Sequence, residues 1–413
     1  MYLLRIAVRN LFRRKRRTFI ISGVLALAIF FGLLMDSFMG GMLEISFGNI
    51  IDFDTAHMEV GRSGFLEEER EFPLDELFAP REDLISDIKA LDGFKSLTPV
   101  INFSASIIAG REEFPVRVRA LEPQSFKQVF RTQEYVVEGE FVESGDTGLV
   151  VGSDLAEMMG LEVGDFYTLR FRDHRDSFNT MQGEVKGIVT TPHPDMNLST
   201  VYVDREYAVQ GLGVGTDEIS QLMVRMEDRS AGVSGSRKIE GIWSEGNFAV
   251  NSWEDASETL LALREWGEIE IYFMMALIVL VGAIGIINLI VLSSIERITE
   301  IGMMKAMGLK EFQIVKIFLL EAGGVGALGG IMGSLLSVIG ITYLSKVGID
   351  LHLIYGDAIL EMGMPIRGRM YGTWNFSWFI FFFIFSVVIA LLASIVPSYW
   401  AARKNPVDAI HHR

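Results

Sequence analysis

The residues whose types could carry out chemistry are few and widely spaced. His57, His174 and His193 stand far apart, and none belongs to the H-E-x-x-H pattern that places two imidazoles on one helix face to bind zinc. The sequence contains no cysteine, which excludes disulfides and thiol chemistry. Neither the G-x-S-x-G pattern of a serine nucleophile nor the G-x-x-x-x-G-K-[ST] pattern of an ATP site occurs. We therefore expect no catalytic residue, no metal site and no cofactor bound by this chain.

Two further patterns resemble functional sites but have simpler interpretations. His193 lies between Pro192 and Pro194, which predicts a loop position. Residues 324–329 match G-x-G-x-x-G, but a dinucleotide site needs a preceding strand, and these glycines lie inside a long apolar run. Glycines four residues apart permit close helix packing in lipid. We expect this packing role for Gly326, Gly329, Gly330 and Gly333.

Two carboxylates fall within apolar runs, where an ionisable group is a functional candidate. Asp36 lies near the end of the first run, so we expect it at the membrane interface. Glu321 lies about two turns into the third run, and we expect it to form a hydrogen bond within the helix bundle. The sequence offers no second buried charge for a proton relay.

Four apolar stretches are long enough to cross a membrane as helices, which requires about 20 residues. They are residues 18–42, 271–295, 314–344 and 376–400. The triplet Ala26-Leu27-Ala28 could suggest a cleaved signal peptide, but it lies in the middle of the first run, so we expect an uncleaved anchor.

Charge is distributed unevenly along the chain. Residues 43–268 contain 20 Lys and Arg against 43 Asp and Glu, and the rest of the chain contains 17 against 10. Seven basic residues and no acidic residue precede Thr18, so the positive-inside rule predicts a cytoplasmic N-terminus. Alternation then predicts an extracytoplasmic domain over 43–268, a cytoplasmic loop over 296–313, an outer loop over 345–375 and a cytoplasmic tail over 401–413. The acidic block also argues against a nucleic-acid partner.

The acidic block has the pattern of a mixed α/β domain. Helices are predicted over 82–91 and 153–159, the second capped by Ser153 and ended by Gly160. Short β-like runs bounded by Gly, Pro or Asp alternate with these helices. They are residues 98–108, 116–121, 167–171, 184–190, 201–203 and 221–226. The fold class expected is therefore an α+β membrane protein with four transmembrane helices and a large mixed α/β domain between the first and second.

The end of this domain predicts a helix that continues into the second span. Ser252 and Asp255 resemble a capping box, and apolar residues recur at helical spacing from Glu254 onward. We expect Leu260, Leu263 and Trp266 to form a mechanical stalk that transmits motion across the membrane.

The loop between the second and third spans predicts a short surface helix. Thr299 is placed to cap it, Glu300 and Lys305 suit its two ends, and Gly308 is placed to end it. Apolar Ile301, Met303, Met304 and Met307 are expected to be exposed for docking.

At this loop the sequence resembles the FtsX-like ABC permeases. The pattern is formed by Asn288, Ser293, Glu296, Arg297, Glu300, Ile301, Gly302, Lys305, Ala306 and Gly308. The segments at 7–18 and 397–410 are similar to the two cytoplasmic ends of that family. The run at 56–60 is more similar to the lipoprotein-releasing LolC and LolE type than to the MacB type.

The resemblance implies a permease of the bacterial inner membrane that works by mechanotransmission. ATP and Mg would be bound by cytoplasmic ABC ATPase subunits that contact residues 296–308, with Gly302 and Lys305 at the contact. A second permease copy or a paralogue would complete a dimer. The expected cargo is a lipoprotein, passed to a periplasmic acceptor. The alternatives are MacB-type efflux of a small molecule or peptide and FtsX-type control of a cell-wall hydrolase.

Overall fold

The computed structural model describes residues 2–13, 15–67, 72–243, 247–255, 258–296, 298–350 and 369–403. These residues divide into two compact units. One unit is helical and lies within Met1–Met42, Arg264–Ile349 and Met370–Arg413. The other is an α/β domain formed mainly by Leu43–Leu263.

The helical unit contains the long apolar helices. The chain begins with α1 (Tyr2–Arg13) and α2 (Lys15–Phe53). After the α/β domain it continues with α10 (Glu258–Glu296), α11 (Ile298–Ala306), α12 (Glu311–Val347) and α13 (Phe376–Ala402). Of these, α2, α10, α12 and α13 are each long and apolar enough to cross a membrane. Two-residue strands β11 (Ile349–Asp350) and β12 (Arg369–Met370) pair with each other between α12 and α13.

The α/β domain is built on one sheet of ten strands. They are β1 (Met58–Arg62), β2 (Phe94–Ala109), β3 (Glu112–Leu121), β4 (Val136–Gly139), β5 (Leu149–Gly152), β6 (Phe166–Arg172), β7 (Phe178–Val189), β8 (Thr200–Asp204), β9 (Gln221–Met226) and β10 (Phe248–Ser252). The order is β10-β1-β9-β2-β3-β8-β5-β7-β4, with β6 paired to β2 and β7. The β3–β8 and β5–β7 pairs are parallel and the other pairs are antiparallel.

Short helices connect these strands. They are α3 (Ser63–Glu67), α4 (Glu82–Lys89), α5 (Pro123–Val129), α6 (Ser153–Met159), α7 (Pro194–Ser199), α8 (Arg205–Leu212) and α9 (Arg229–Trp243), with 3-10 helices at Leu74–Glu76 and Thr132–Tyr135. Side chains alternate across the sheet, as a pleated strand requires. Val100 packs in one hydrophobic cluster and Ile101 and Phe103 pack in another. Both faces of β2 are therefore covered.

The fold class predicted from the sequence is confirmed, namely four candidate membrane helices with a mixed α/β domain between the first and second. The predicted strands are all present, and β2 and β7 are longer than expected. Gly160 ends α6 with φ of 63°, as predicted. The Ser153 cap is wrong: the residue before the helix is Gly152, and the Ser153 hydroxyl donates to Asp154 instead.

Candidate functional site

The segment that joins α10 to α12 contains most of the residues that resemble the FtsX-like permease pattern. We call it the coupling segment. Its helix α11 begins at Ile298, so Thr299 lies inside the helix and the predicted Thr299 cap is wrong. Arg297 lies outside the described residues. Gly308 adopts φ of 93° and donates its N–H to the Lys305 carbonyl at 2.9 Å, which ends the helix as predicted.

The apolar residues of α11 do not all face outward. Ile301 is 3% exposed and packs with Ile290 and Phe318, so its predicted exposure is wrong. Met304 is partly buried against the same cluster. Met303 and Met307 are exposed as predicted, Met307 by 74%, and Phe312 at the start of α12 is 72% exposed as well. The helix thus uses one face to pack on its own chain and leaves another uncovered.

The remaining residues of the pattern differ in their exposure and contacts. Gly302 is buried, and Ala306 and Gly308 are exposed. The Lys305 side chain is only 13% exposed, and its Nζ lies 3.1 Å from Oε1 of Glu311 at the start of α12. Lys310 donates its N–H to the Gln313 side chain at 2.9 Å. The turn between α11 and α12 is therefore fixed by side-chain bonds at both ends.

Arg17, at the start of α2, joins this segment to the N-terminal basic pattern. Its guanidinium donates to the carbonyl oxygens of Asn288 and Leu289 at 3.0 and 2.6 Å, and it lies 3.5 Å from the Glu296 carboxylate. Asn288 and Glu296 both belong to the pattern that carries the family resemblance. Two sequence patterns about 270 residues apart therefore meet at one guanidinium.

Arg13 makes a second connection of the same kind. Its Nη2 lies 2.7 Å from Oε1 of Glu300 on α11. Both side chains are substantially exposed, so the pair contributes less than about 1 kcal/mol to stability by itself. Its importance lies in its position, because it links α1 directly to the short helix α11.

Glu321 on α12 is 6% exposed and accepts a hydrogen bond of 2.6 Å from Asn10 Nδ2 on α1. This confirms the predicted hydrogen bond within the bundle. A cavity of about 30 Å³, large enough for one water molecule, lies beside it and is lined by both polar and apolar side chains. The lining includes Asn10, Arg13, Arg17, Ser293 and Glu321.

The glycines of α12 face two different neighbours. A Cβ on Gly326 would lie 2.9 Å from the Ser386 carbonyl oxygen of α13, and Gly330 also faces α13. A Cβ on Gly333 would lie 2.8 Å from the Ala26 carbonyl oxygen of α2, and Gly329 faces Leu25 on the same helix. Helix α12 thus approaches one helix on each of two faces.

The predicted stalk segment begins later than expected. Ser252 donates both its N–H and its hydroxyl to the Asp255 carboxylate, but these bonds close a turn after β10, and α10 begins at Glu258. Residues 256 and 257, between the turn and the helix, lie outside the described part. Trp266 is exposed, and the side chains of Leu260 and Leu263 lie outside the described residues.

The α/β domain contains a buried polar row that the sequence pattern did not reveal. It crosses five adjacent strands through the side chains of Asn251, Glu59, Gln221, Asn102 and Arg119. Each neighbouring pair is hydrogen-bonded at 2.6–3.2 Å, and Arg119 is 1% exposed. The row is satisfied from end to end, as buried polar groups require.

The row ends on the last residues of α2. Arg119 donates to the Phe53 carbonyl oxygen and to Asp54, each at 3.1 Å, and Arg117 also lies 3.1 Å from Asp54. Burial alone would raise the pKa of Asp54, but the two arginines outweigh it and hold that pKa well below the usual range. The C-terminus of α2 is therefore fastened to β3 by charge-assisted hydrogen bonds.

The histidines occupy separate places in the α/β domain. His193 lies just before α7, outside the helices as predicted, but it is 7% exposed, and burial lowers its pKa. His57 is also buried, and burial together with Arg225 lowers its pKa to about 4. Within the described ranges, no group of three His, Asp or Glu side chains could hold a metal ion.

Comparison with known proteins identifies two family regions in the chain. Residues 18–240, more than half of the sequence, match the MacB-like periplasmic core domain. Residues 272–406 match the FtsX-like permease C-terminal domain. The first region covers most of α2 and most of the α/β domain, and the second covers most of α10 together with α11, α12 and α13.

Relatives with similarity over much of the chain are permeases. An uncharacterized ABC transporter permease of Methanocaldococcus jannaschii is 24% identical over 70% of this chain and 68% of that protein. The lipoprotein-releasing system transmembrane protein LolC of Xylella fastidiosa is 21% identical over 75% of this chain and 76% of its own length. The macrolide export ATP-binding/permease protein MacB of Nitrobacter winogradskyi is 25% identical over 48% of this chain and 28% of its own. The chain therefore belongs to the MacB/FtsX/Lol superfamily of ABC transporter permeases.

Proposed function

We propose that this chain is the permease subunit of an ABC complex that works by mechanotransmission and extracts lipoproteins from the membrane for transfer to an acceptor. The observation that carries the proposal is the joining of the two N-terminal helices to the α10–α11 segment, by Arg13 at the end of α1 and by Arg17 at the start of α2. A movement of α11 displaces Glu300, which is paired with Arg13 at the end of α1. The adjoining end of α10 carries Glu296, which is paired with Arg17 at the start of α2.

Helix α2 then provides the path for that movement. It is one uninterrupted helix of 39 residues, from Lys15 to Phe53. Its last residues belong to the α/β domain, where Arg119 binds the Phe53 carbonyl and Asp54. In this proposal α2 carries a displacement applied at Arg17 along its own length toward Phe53. In the same proposal Leu260, Leu263 and Trp266, near the start of α10, belong to a mechanical stalk that precedes the second span.

The energy input belongs to a cytoplasmic ABC ATPase subunit in this proposal, because the 413 residues contain no G-x-x-x-x-G-K-[ST] pattern. ATP and Mg are bound by that partner. The exposed Met303, Met307 and Phe312 supply the apolar contact, since flexible methionines adapt to a partner surface. Buried Gly302 and nearly buried Lys305 hold α11 in position beside that contact.

The orientation proposed follows the charges. In this proposal the basic residues before Thr18 favour an N-terminus on the cytoplasmic side of the bacterial inner membrane, with the C-terminus on the same side. The acidic α/β domain is then periplasmic. A second permease copy or a paralogue completes a dimer.

The lipoprotein-releasing branch is favoured by coverage. The chain matches LolC of Xylella fastidiosa along 76% of that protein, and MacB of Nitrobacter winogradskyi along 28%. MacB-type efflux is the second candidate, because the match to the MacB-like periplasmic core domain spans residues 18–240.

The test is affinity purification of the chain from native membranes, followed by reconstitution with the ATPase that accompanies it. ATPase stimulation by a diacylated or triacylated lipoprotein supports the proposal. Stimulation by a macrolide or peptide, without a response to lipoprotein, supports efflux instead. Binding of a soluble cell-wall hydrolase with no cargo response contradicts both transport functions.

The docking contact is tested separately by Met303→Ser combined with Met307→Ser. We expect these changes to reduce the amount of ATPase that co-purifies, because they remove exposed apolar side chains without touching the core. Met158→Ser, at an exposed methionine of α6, is the control. Lys305→Glu should weaken the same association by repelling Glu311. Normal co-purification in both variants would show that α11 is not the contact.

A further inference from the structure

The basic residues before the first span divide into two groups. Arg13 and Arg17 are paired with Glu300 and Glu296. The other basic residues described in this segment, Arg5, Arg9, Lys15 and Arg16, are exposed and form no ion pair with any acidic side chain of the described ranges. Within the described ranges these four cationic groups therefore have no acidic side-chain partner.

Helix α1 has three distinct faces. Ala7, Asn10 and Leu11 face α12, where Asn10 donates to Glu321 and the Leu11 side chain occupies the space beside Gly324. Arg5, Arg9 and Arg13 follow one another at four-residue spacing, which places them on a second face.

The third face of α1 is apolar and exposed. Val8 and Phe12 are 45% and 50% exposed, and they lie beside the arginine face at helical spacing. Phe19 and Ile20, in the first turns of α2, are also exposed. A helix with a buried face, a basic face and an adjoining apolar face has the pattern of a helix lying at a membrane interface.

We propose that α1 and the first turn of α2 form a binding site for anionic phospholipid headgroups. Arg5, Arg9, Lys15 and Arg16 contact the phosphates, and Val8 and Phe12 enter the adjoining edge of the acyl region. Cationic residues beside a span attract anionic lipid, each contributing about 1 kcal/mol near the surface. The apolar flank favours lipid over an acidic protein surface, because an acidic surface gives Val8 and Phe12 no apolar partner. This inference depends on the membrane helices and not on the cargo.

Contacts of α1 also connect this lipid site to the segment between α10 and α12. The Asn10–Glu321 hydrogen bond and the Leu11–Gly324 contact hold α1 on α12, and Arg13 continues from α1 to Glu300 on α11. A lipid bound to α1 would therefore stabilise the position of α1 against α11 and α12, and α11 belongs to the helix group that Arg13 and Arg17 join.

Native mass spectrometry of the full-length chain tests the site directly. The probes are phosphatidylglycerol and phosphatidylcholine with identical acyl chains, titrated separately into the detergent-solubilised protein. We expect tighter binding of phosphatidylglycerol, and about a thirtyfold loss of that affinity in the double variant Arg5→Gln/Arg9→Gln, with phosphatidylcholine unaffected. Phe12→Ser should weaken both lipids.

The matched control is Arg237→Gln/Lys238→Gln, which removes two exposed charges from α9 of the α/β domain and should leave lipid binding unchanged. Equal phosphatidylglycerol affinity in the wild type and the Arg5/Arg9 variant would overturn the proposal. Displacement of the lipid by inorganic phosphate would overturn it too, since the site would then bind free anions. Retained lipid binding with loss of the co-purifying ATPase would assign the basic face to a protein partner.

Discussion

Arg17 Nη2 donates a hydrogen bond of 2.6 Å to the main-chain carbonyl oxygen of Leu289. A carbonyl oxygen inside a helix normally accepts a hydrogen bond only from the N–H four residues later. The Arg17 guanidinium adds a side-chain donor to the Leu289 carbonyl and also to the Asn288 carbonyl. Because the partner atoms belong to the backbone, the contact follows the position of α10 itself. The first long helix is thereby attached to the main chain of the second.

We expect Arg17→Lys to uncouple cargo-stimulated ATP hydrolysis while leaving the basal activity of the ATPase subunit intact. Lysine keeps the charge but cannot reproduce the planar fork that reaches two carbonyls and a carboxylate. Each hydrogen bond from a charged donor contributes about 1.5–3 kcal/mol, so the melting temperature of the purified chain should also fall. The measurement is ATPase activity of the reconstituted complex with and without cargo.

Arg237→Lys, at an exposed position of α9, serves as the control and should behave as the wild type. Glu296→Gln should show a smaller defect than Arg17→Lys, because it leaves both carbonyl contacts in place. Wild-type stimulation in Arg17→Lys would show that the charge alone matters and that the backbone contacts do not transmit force.

The secondary structure could be predicted from the sequence where the hydropathy pattern had one interpretation. The four apolar runs and the strand at 221–226 follow directly from hydropathy and from nearby Gly, Pro or Asp residues. The alternating run Val116-Arg117-Val118-Arg119 was harder, because the same alternation describes a strand with one solvated face. In the structure the sheet is covered on both faces, so Arg119 is buried and its partner Asp54 comes from 65 residues away.

The candidate coupling site was predictable only in part. The pattern around Glu296 to Gly308 marked the segment, but helical spacing alone could not distinguish the face of α11 that packs on Phe318 from the face that remains open. Ile301 and Met303 are equally apolar, and only the position of α12 separates them. The pairing of Arg17 with α10 could not be predicted, since no local signal links residues about 270 apart.

Two glycines of α12 should not tolerate alanine. We expect Gly326→Ala and Gly333→Ala each to lower the free energy of unfolding by about 1–3 kcal/mol, because the new Cβ would meet a backbone carbonyl oxygen at 2.9 or 2.8 Å. Thermal unfolding in detergent or nanodiscs is the measurement. Gly23→Ala is the control: no atom lies within 4 Å of its Cβ position, so it should be neutral or slightly stabilising. Similar melting temperatures for all three variants would contradict this close packing of α12.

Arg119→Met should destabilise the α/β domain by about 3–5 kcal/mol, the usual effect of removing one partner of a buried ion pair. The change leaves Asp54 with Arg117 alone and removes the donor to the Phe53 carbonyl. Hydrogen exchange of the β2 and β3 amides in the full chain reports the loss. Arg111→Met, in the exposed turn between these strands, is the control and should change protection little. Unchanged protection in Arg119→Met would mean that the polar row does not fasten α2 to the sheet.

Acidification should weaken the α/β domain through His57. Its pKa in the folded chain is about 4, below the ordinary value of 6.5, because the side chain is buried and lies near Arg225. As the pH falls below about 6.5 the unfolded chain takes up a proton that the folded chain does not, so stability decreases down to about pH 4. The free energy of unfolding should be lower by about 2 kcal/mol at pH 5 because of this group.

Hydrogen exchange of the β1 and β9 amides at pH 7.5 and pH 5, corrected for intrinsic rates, measures this effect. The loss of protection should be smaller in His57→Leu than in the wild type. His174→Leu removes a histidine elsewhere in the domain and should keep the full loss. Identical pH dependence in His57→Leu and the wild type would assign the acid sensitivity to other groups, of which buried His193 shifts stability in the same direction.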